Sequence, residues 1–442
     1  MTPWRPEADY RTWGRLKTGP HETARPRFAD EVAPLISGAA HAPNGLLPAG
    51  LARSYAESGV NPGGRVLKLD QLDRFIAFDP ETGVMRAEAG LSLNDLLRVT
   101  VPKGWFTNTT PGTRFITLGG AVANDVHGKN HHRSGTFGAA VRRMGLLRSD
   151  EDGVIELSPQ SNTDLFAATI GGLGQTGTIA WVELQLVRIP SSWLAQETVP
   201  FGGIADFLTI AAESEESHEF GVSWIDCTAP GGPGFFYRAN WSADGDLSVH
   251  GEKQKLSLPV DLPSWSLNPL TLTSFNRLYG AAHRMKPASF RIHYSSFFYP
   301  LDAIGGWNRL YGKAGFRQYQ FVTPPETSAD ALKAALDVIR RSGEGSFLAV
   351  LKTFGNPASP GLLSFPRPGS TLALDFRNRG EDTLRLFDRL DAIVAEAGGR
   401  LYPAKDGRMP EALFKAGYPD WAKWAQRRDP AIQSQFVRRI LQ

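Results

Sequence analysis

Three of the chain's nine histidines, His127, His131 and His132, fall within the stretch NDVHGKNHHRSGTF (124–137). Histidine can ligate a metal, move a proton near neutral pH or hydrogen-bond a loop. His127 and His131 have the spacing of a helical zinc face, but Gly128 and Asn130 make a helix poor there, and no carboxylate stands at a matching helical position. The residues alone leave three readings: a metal centre, structural histidines bonded to loop backbone, or a loop wrapped round a cofactor and its substrate.

Small-residue loops lie on either side. LPAGLARSYAESG (47–59) and TPGTRFITLGGAVANDVHGKNHH (110–132) put few Cβ atoms between backbone N–H groups and a diphosphate. A third loop, Gly172-Leu-Gly-Gln-Thr-Gly177, matches the G-x-G-x-x-G dinucleotide fingerprint. That fingerprint works when a strand precedes it and a helix follows. Here the helical stretch TDLFAATI comes first and a strand follows, so the motif predicts a helix-to-strand turn with glycine supplying positive φ. Three such loops fit a large polyphosphate cofactor; tight turns in a β-rich region are the alternative.

The elements that must position these loops are short strands. RVLKLD (65–70), FIAFDP (75–80) and VMRAEAG (84–90) read as strands, followed by a short helix whose start Ser92 and Asp95 cap. TIAWVELQLVRI (178–189) predicts a long strand with Ala180, Val182, Leu184 and Leu186 on one face. Residues 205–330 are rich in aromatics, and FRQYQFV (316–322) predicts a strand with Gln318 and Gln320 in phase. Helices are expected near 328–341, through Leu332, Leu336 and Ile339, and near 382–397, through Leu386, Leu390 and Ile393, stopping at Gly398-Gly399. Further strands are expected at 346–354, 371–377 and 400–405, and a basic helical tail from Trp421. Residues 259–285 are apolar, broken by Pro and Asn and without a clean period, so poor order is expected there.

The 442 residues exceed one compact core and predict two domains. A net charge of +3, with no basic run beyond pairs such as Arg427-Arg428, gives no support to nucleic-acid binding. The single cysteine, Cys227, excludes an internal disulfide, a cysteine zinc site and an iron–sulfur cluster. No signal-peptide core or membrane-spanning run is visible, so the expected location is cytoplasmic or peripheral to the inner membrane.

The strings GLARSY, PGTRFITLGGAVANDVHGKNHHRSGTFG, GGLGQTG, YPLDAIGGWNRLYGKAGFRQYQFV, LSFPRPG, GGRLYPAKDGR and RRDP together carry a specific resemblance. The chain resembles the vanillyl-alcohol-oxidase-type (PCMH-type) FAD flavoproteins, and within them the decaprenylphosphoryl-β-D-ribose 2-oxidases, the epimerase subunits of cell-wall arabinan-precursor synthesis. The resemblance implies a two-domain α+β fold: an FAD-binding domain from residues 1–190 and 400–442, with an antiparallel-sheet substrate domain at 191–399 between them. It implies FAD held by Gly50, Leu51, Ala52, Arg53, Ser54 and Tyr55, by Gly112, by Thr117, Leu118, Gly119 and Gly120, by Asn124, Asp125, Val126 and His127, and by Ile179 and Tyr402. Related oxidases tether the flavin through a His just before the loop Ser; Arg53 stands there, so the FAD is expected to be non-covalent.

Lys405 matches the family's essential lysine and His127 would lie beside flavin and sugar, while Gln320, Lys352, Phe298 and Gln318 would contact substrate. Hydride transfer from a secondary alcohol needs a proton acceptor at the hydroxyl and donors for the developing charge. The implied activity is oxidation of the 2-hydroxyl of a polyprenyl-phosphoryl ribose to a 2-keto sugar. Its implied partners are a separate keto-reductase, a quinone or oxygen as electron acceptor, and a peripheral membrane contact. Departures from the family pattern are Ala52, Ala56 and Glu57 in the first loop, Ala373 at the family's active-site Cys position, Thr371 for Asn and Phe298 for Tyr. The alternatives are a soluble alditol or aldonolactone oxidase of the same FAD family, or a non-catalytic flavin-binding protein.

Overall fold

A computed structural model describes residues 4–39, 42–251, 256–263, 265–405 and 407–441; Ser264 and Asp406 of the expected 259–285 and YPAKDGR stretches lie outside the described residues. Two larger sheets are built from the first part of the chain, beside a small pairing of Trp105–Phe106 with Val187–Arg188. One runs in the order Arg5–Glu7, His21–Ala24, Arg65–Lys68 and Leu46–Ala49, with the last two pairings parallel. The other is antiparallel, in the order Phe75–Phe78, Val84–Glu88, Thr178–Gln185, Val141–Leu147 and Ile155–Leu157. Its central strand, Thr178–Gln185, buries Ala180, Val182 and Leu184, the face that its alternation predicts.

The third sheet is antiparallel and has eight described strands: Ser289–His293, Trp193–Phe201, Gly234–Trp241, Phe220–Ile225, Val350–Phe354, Gly369–Arg377, Phe316–Thr323 and Arg400–Leu401. Helices Ile204–Ser217, Pro325–Ser342 and Glu381–Glu396 accompany it. The last two cover predicted spans, though Val394 rather than Ile393 is buried at the end of the second. Leu332, Leu336, Ile339, Leu386, Leu390 and Val394 join Phe321, Leu372, Leu374 and Phe376 in one apolar cluster. Burying such side chains contributes about 1.5–3 kcal/mol each.

Four expectations are corrected; the strand expected at 400–405 spans only Arg400–Leu401. The 346–354 strand begins only at Val350. The tail is two short helices, Trp421–Gln426 and Gln435–Ile440, joined by a non-helical stretch. Residues 259–285 are not without structure: Pro269–Arg284 is a helix, with Asn268 accepting the N–H groups of Leu270 and Thr271 at its start. Its inner face is Leu272, Asn276 and Gly280, mostly small or polar residues, so most of the apolar ones point outward and the usual period is inverted.

Candidate active site

Strand register builds one wall. Gln318 pairs with Asp375 and Gln320 with Ala373 across neighbouring strands, and Lys352 pairs with Thr371 on the next. Side chains alternate along a strand, so all six share one face. That face lines a cleft of about 550 Å³, and the small-residue loops form the facing wall. Gly50, Leu51, Ala52, Arg53, Ser54, Tyr55, Gly112, Thr117, Gly119, Gly120, Asn124, Val126, His127, Ile179, Tyr402 and Lys405 all line the cleft. Leu173, Gly174 and Gly177 of the third loop join them, with Gly174 and Gly177 at positive φ and the helix-then-strand context that the sequence predicts.

The loops close on one another tightly. A Cβ on Gly50 would come within 2.2 Å of Thr117 Oγ1, the oxygen that accepts the Gly120 N–H at 3.1 Å. Gly112 has no atom within 4 Å of where its Cβ would be, so its backbone faces open cleft. Ala52 adopts φ 51°, a left-handed conformation that glycine takes without strain. Tyr402 donates its hydroxyl to the Asn124 carbonyl at 2.9 Å and stacks on Phe365.

Several predicted residues sit elsewhere. Leu118 and Asp125 are fully buried behind the loop. The Asp125 carboxylate accepts the Gly138 N–H at 2.8 Å and the hydroxyls of Ser359 and Ser364, tying the histidine loop to residues 359–364. Phe298 is not at the cleft: it is packed among Phe106, Phe220 and Trp241, where an aromatic side chain fills core. Of the three histidines only His127 lines the cleft. The His131 ring packs against Phe354 with centroids 4.8 Å apart, and His132 Nε2 is 3.0 Å from the His218 carbonyl. No group of three or more metal-ligating side chains occurs among the described residues.

Electrostatics set the site apart. His127 is held well below the usual imidazole range, first by burial and then by the neighbouring Lys352, His131 and Lys405. The Gln320 amide lies 3.2 Å from its Nε2, which leaves Nδ1 as a buried N–H without a partner among the described residues. Burial brings Lys352 down to about 8, and its ammonium donates to the Gly128 carbonyl at 3.3 Å. Lys405, 3.8 Å over the Tyr55 ring, is brought down to about 7 by burial, opposed by Asp375 and reinforced by Lys352.

Asp375 is a cleft carboxylate that the sequence reading missed. It lines the cleft, burial raises it to about 7, and Gln318 Nε2 donates to it at 2.6 Å. The available signal was a carboxylate interrupting the apolar strand TLALDFR in phase with Thr371 and Ala373. Asp302 was also missed; it lines the cleft and accepts from Thr113 Oγ1 at 2.7 Å and from the Arg114 N–H at 2.9 Å.

Comparison with known proteins gives a consistent answer. Residues 20–158 match the FAD binding domain family. The chain is 34% identical over 417 residues to the decaprenylphosphoryl-beta-D-ribose oxidase of Mycolicibacterium smegmatis, covering 90% of this chain and 89% of the relative. It is 29% identical over 344 residues to an uncharacterized Streptomyces coelicolor protein, covering 74% and 92% of the two chains. L-gulonolactone oxidase of Mus musculus is 28% identical over 137 residues, which is 31% of this chain and 30% of that enzyme. The residues present fit FAD: an open glycine face at Gly112 and a corner at Gly50 with no room for a side chain.

Proposed function

This chain belongs to the decaprenylphosphoryl-β-D-ribose oxidase family, and from that premise we propose that it is an FAD-dependent oxidoreductase converting the 2-hydroxyl of a polyprenyl-phosphoryl-β-D-ribose to the 2-keto sugar. The observation that carries this reading is the cleft itself, with glycine loops on one wall, Gln318, Gln320, Lys352 and Asp375 on the other, and Lys405 over the Tyr55 ring. Bound FAD supplies the two-electron acceptor for hydride leaving the carbinol carbon. Residues 50–55, Gly112, Thr117, Gly119, Gly120, Asn124, Val126, His127, Ile179 and Tyr402 hold it, with Leu118 and Asp125 supporting the loop from behind. Arg53 at the tether position supports a dissociable cofactor.

The chain's own residues handle the proton and the charge. A general base works best when it titrates near the operating pH, and Lys405 does so at about 7. Neutral Lys405 takes the hydroxyl proton, and the resulting ammonium is stabilised by the Asp375 carboxylate. His127, neutral and donating from Nδ1, steadies negative charge on the sugar oxygen. Gln320 orients the sugar and Lys352 meets the phosphate, since at neutral pH it is largely protonated. Gln318 fixes Asp375 and lies within reach of the sugar.

The same reading divides the chain into FAD-binding parts at 1–190 and 400–442 around a substrate part at 191–399; seven of the eight strands of the large sheet fall within 191–399, and its edge strand Arg400–Leu401 belongs to the C-terminal part. A quinone or oxygen is the proposed terminal acceptor, and a separate keto-reductase consumes the product. No described helix is long and apolar enough to cross a membrane; the proposed location is cytoplasmic or peripheral to the inner membrane. The test is product analysis with farnesylphosphoryl ribose: the expected product has lost two hydrogens and takes deuteride at C2 on borodeuteride reduction. An unchanged ribose phosphate beside an oxidised alditol or lactone control would contradict the assignment.

A further inference from the structure

Seven of the fourteen large apolar side chains exposed among the described residues fall between Leu256 and Met285. Helix Pro269–Arg284 organises this surface. At about 100° per residue, Leu270, Leu278 and Met285 fall within about 80° of arc on its outer side, opposite Leu272, Asn276 and Gly280. These three are 76%, 72% and 87% exposed, and Trp265, just before the helix, is 75% exposed. Arg277 and Arg284, seven residues apart, form a parallel row along the flank of that apolar stripe; both are exposed and have no ion pair among the described residues. From Leu262 to Leu301 the sequence contains no Asp or Glu, so the helix and its flanks supply no acid of their own.

An outward apolar stripe flanked by arginines without acidic partners, with low overall hydrophobicity, is the chemistry of a helix lying in a bilayer interface beside anionic headgroups. The complementarity of charge argues for lipid over a second copy, because two such faces would bring the same arginines together. The position is also informative. Leu256–Ser257 pairs with Ile304–Gly305, and Ile304, Gly306 and Trp307 line the cleft. Leu267, two residues before the helix, packs against the cluster of Tyr55, Trp307, Tyr311 and Phe316, so the helix starts beside the cleft rim.

We propose that Trp265 and helix Pro269–Arg284 form the docking surface that sets the cleft mouth on an anionic phospholipid bilayer. This deepens the functional reading above and rests on it for its purpose: a sugar phosphate carried on a polyprenyl chain would reach Lys352 and Lys405 without leaving the membrane surface. The apolar side chains enter the interface, and Arg277 and Arg284 meet lipid phosphates.

The test is flotation of the FAD-loaded protein with vesicles of phosphatidylcholine alone and of phosphatidylcholine mixed with phosphatidylglycerol. Binding is expected to the anionic vesicles and to weaken as salt shortens the Debye length from about 10 Å to about 3 Å. Leu270→Glu/Leu278→Glu is expected to lower partitioning by about tenfold or more, while far-UV dichroism and bound FAD are unchanged because both side chains are already in solvent. Arg277→Glu/Arg284→Glu is expected to remove the preference for anionic vesicles. Absence of binding to anionic vesicles, or binding by both double variants equal to that of the unaltered chain, would overturn the proposal. So would a dimer in solution that the leucine variant dissociates, since a second copy would then cover the face. Turnover of the short-chain farnesylphosphoryl ribose separates the two ideas. If that substrate is oxidised without vesicle binding, docking fails and the functional reading stands. If vesicles are bound and the substrate is left unoxidised, the functional reading fails and docking stands.

Discussion

Replacing Asp375 with Asn removes a carboxylate while keeping the size and the strand position of the side chain. The Gln318 amide, now 2.6 Å from the Asp375 carboxylate, can still donate to the Asn oxygen. What changes is charge beside Lys405. Burial lowers Lys405 to about 7 and Lys352 lowers it further, while Asp375 acts in the opposite direction. Without Asp375 only the two lowering influences remain, so Lys405 loses its proton at lower pH. If neutral Lys405 is the base, the wild-type rate of FAD reduction rises with pH through about 7 and levels above it. In Asp375→Asn the rising limb moves to lower pH by about one unit, equivalent to about 1.4 kcal/mol of lost interaction with the ammonium form. The plateau also falls, because the ammonium formed after proton transfer is less stabilised. The assay is anaerobic stopped-flow reduction with farnesylphosphoryl ribose across neutral pH. Lys405→Ala serves as the reference; it keeps bound FAD, loses the limb and slows reduction by about 10²–10³. A limb that stays in place or moves up in Asp375→Asn would refute the pairing. A limb that survives in Lys405→Ala would remove the lysine from the chemistry.

Further outcomes follow from the loops and the buried histidines. Gly50→Ala would drive a methyl to 2.2 Å from Thr117 Oγ1 and break the Thr117–Gly120 bond, so both thermal stability and FAD affinity are expected to fall, by about 1–3 kcal/mol in stability, as read by calorimetry and fluorescence titration. Gly112→Ala meets nothing within 4 Å, so the apoprotein is expected to melt unchanged while FAD binds more weakly; equal FAD affinity would show that the cofactor does not pass Gly112. Ala52→Gly relieves a left-handed alanine at φ 51° costing about 1–2 kcal/mol, set against about 0.5–1 kcal/mol of glycine chain entropy, so a small rise in melting temperature is expected and a fall would contradict the strain. Burial lowers His131 and His250 to about 4 each, so the unfolded chain takes up protons that the folded one refuses. Their contribution to stability is therefore full above about pH 6.5 and lost as pH falls toward 4, and a flat urea midpoint over that range would contradict this.

How much of this was legible in the sequence depended on whether a residue's role was local. The period-two strands at 178–185 and 316–323 and the helices at 325–342 and 381–396 carry regular apolar faces, which the sequence shows directly. The G-x-G-x-x-G turn was readable for the same reason, since its flanking elements have strong patterns. Helix Pro269–Arg284 was not readable, because its inner face is Leu272, Asn276 and Gly280 while Leu270 and Leu278 point outward. The glycine loops, His127, Gln320 and Lys405 were marked by motif strings. Phe298 was misplaced because nothing local distinguishes a core phenylalanine from a cleft one; its neighbours Phe106, Phe220 and Trp241 are distant in sequence. Asp375 went unremarked because its meaning lies in register: only when Gln318 pairs opposite it, with Lys405 nearby, does the strand carboxylate stand in the cleft beside the proposed base.

The central claim is that a polyprenyl-phosphoryl ribose delivers two electrons to FAD in this cleft. Anaerobic mixing of the yellow protein with farnesylphosphoryl ribose, beside xylitol and a sugar lactone, tests it most directly. Rapid bleaching by the lipid-linked ribose is expected, and none by the other two. Bleaching by the alditol or the lactone alone would contradict it, as would purified protein that is colourless and takes up no added FAD.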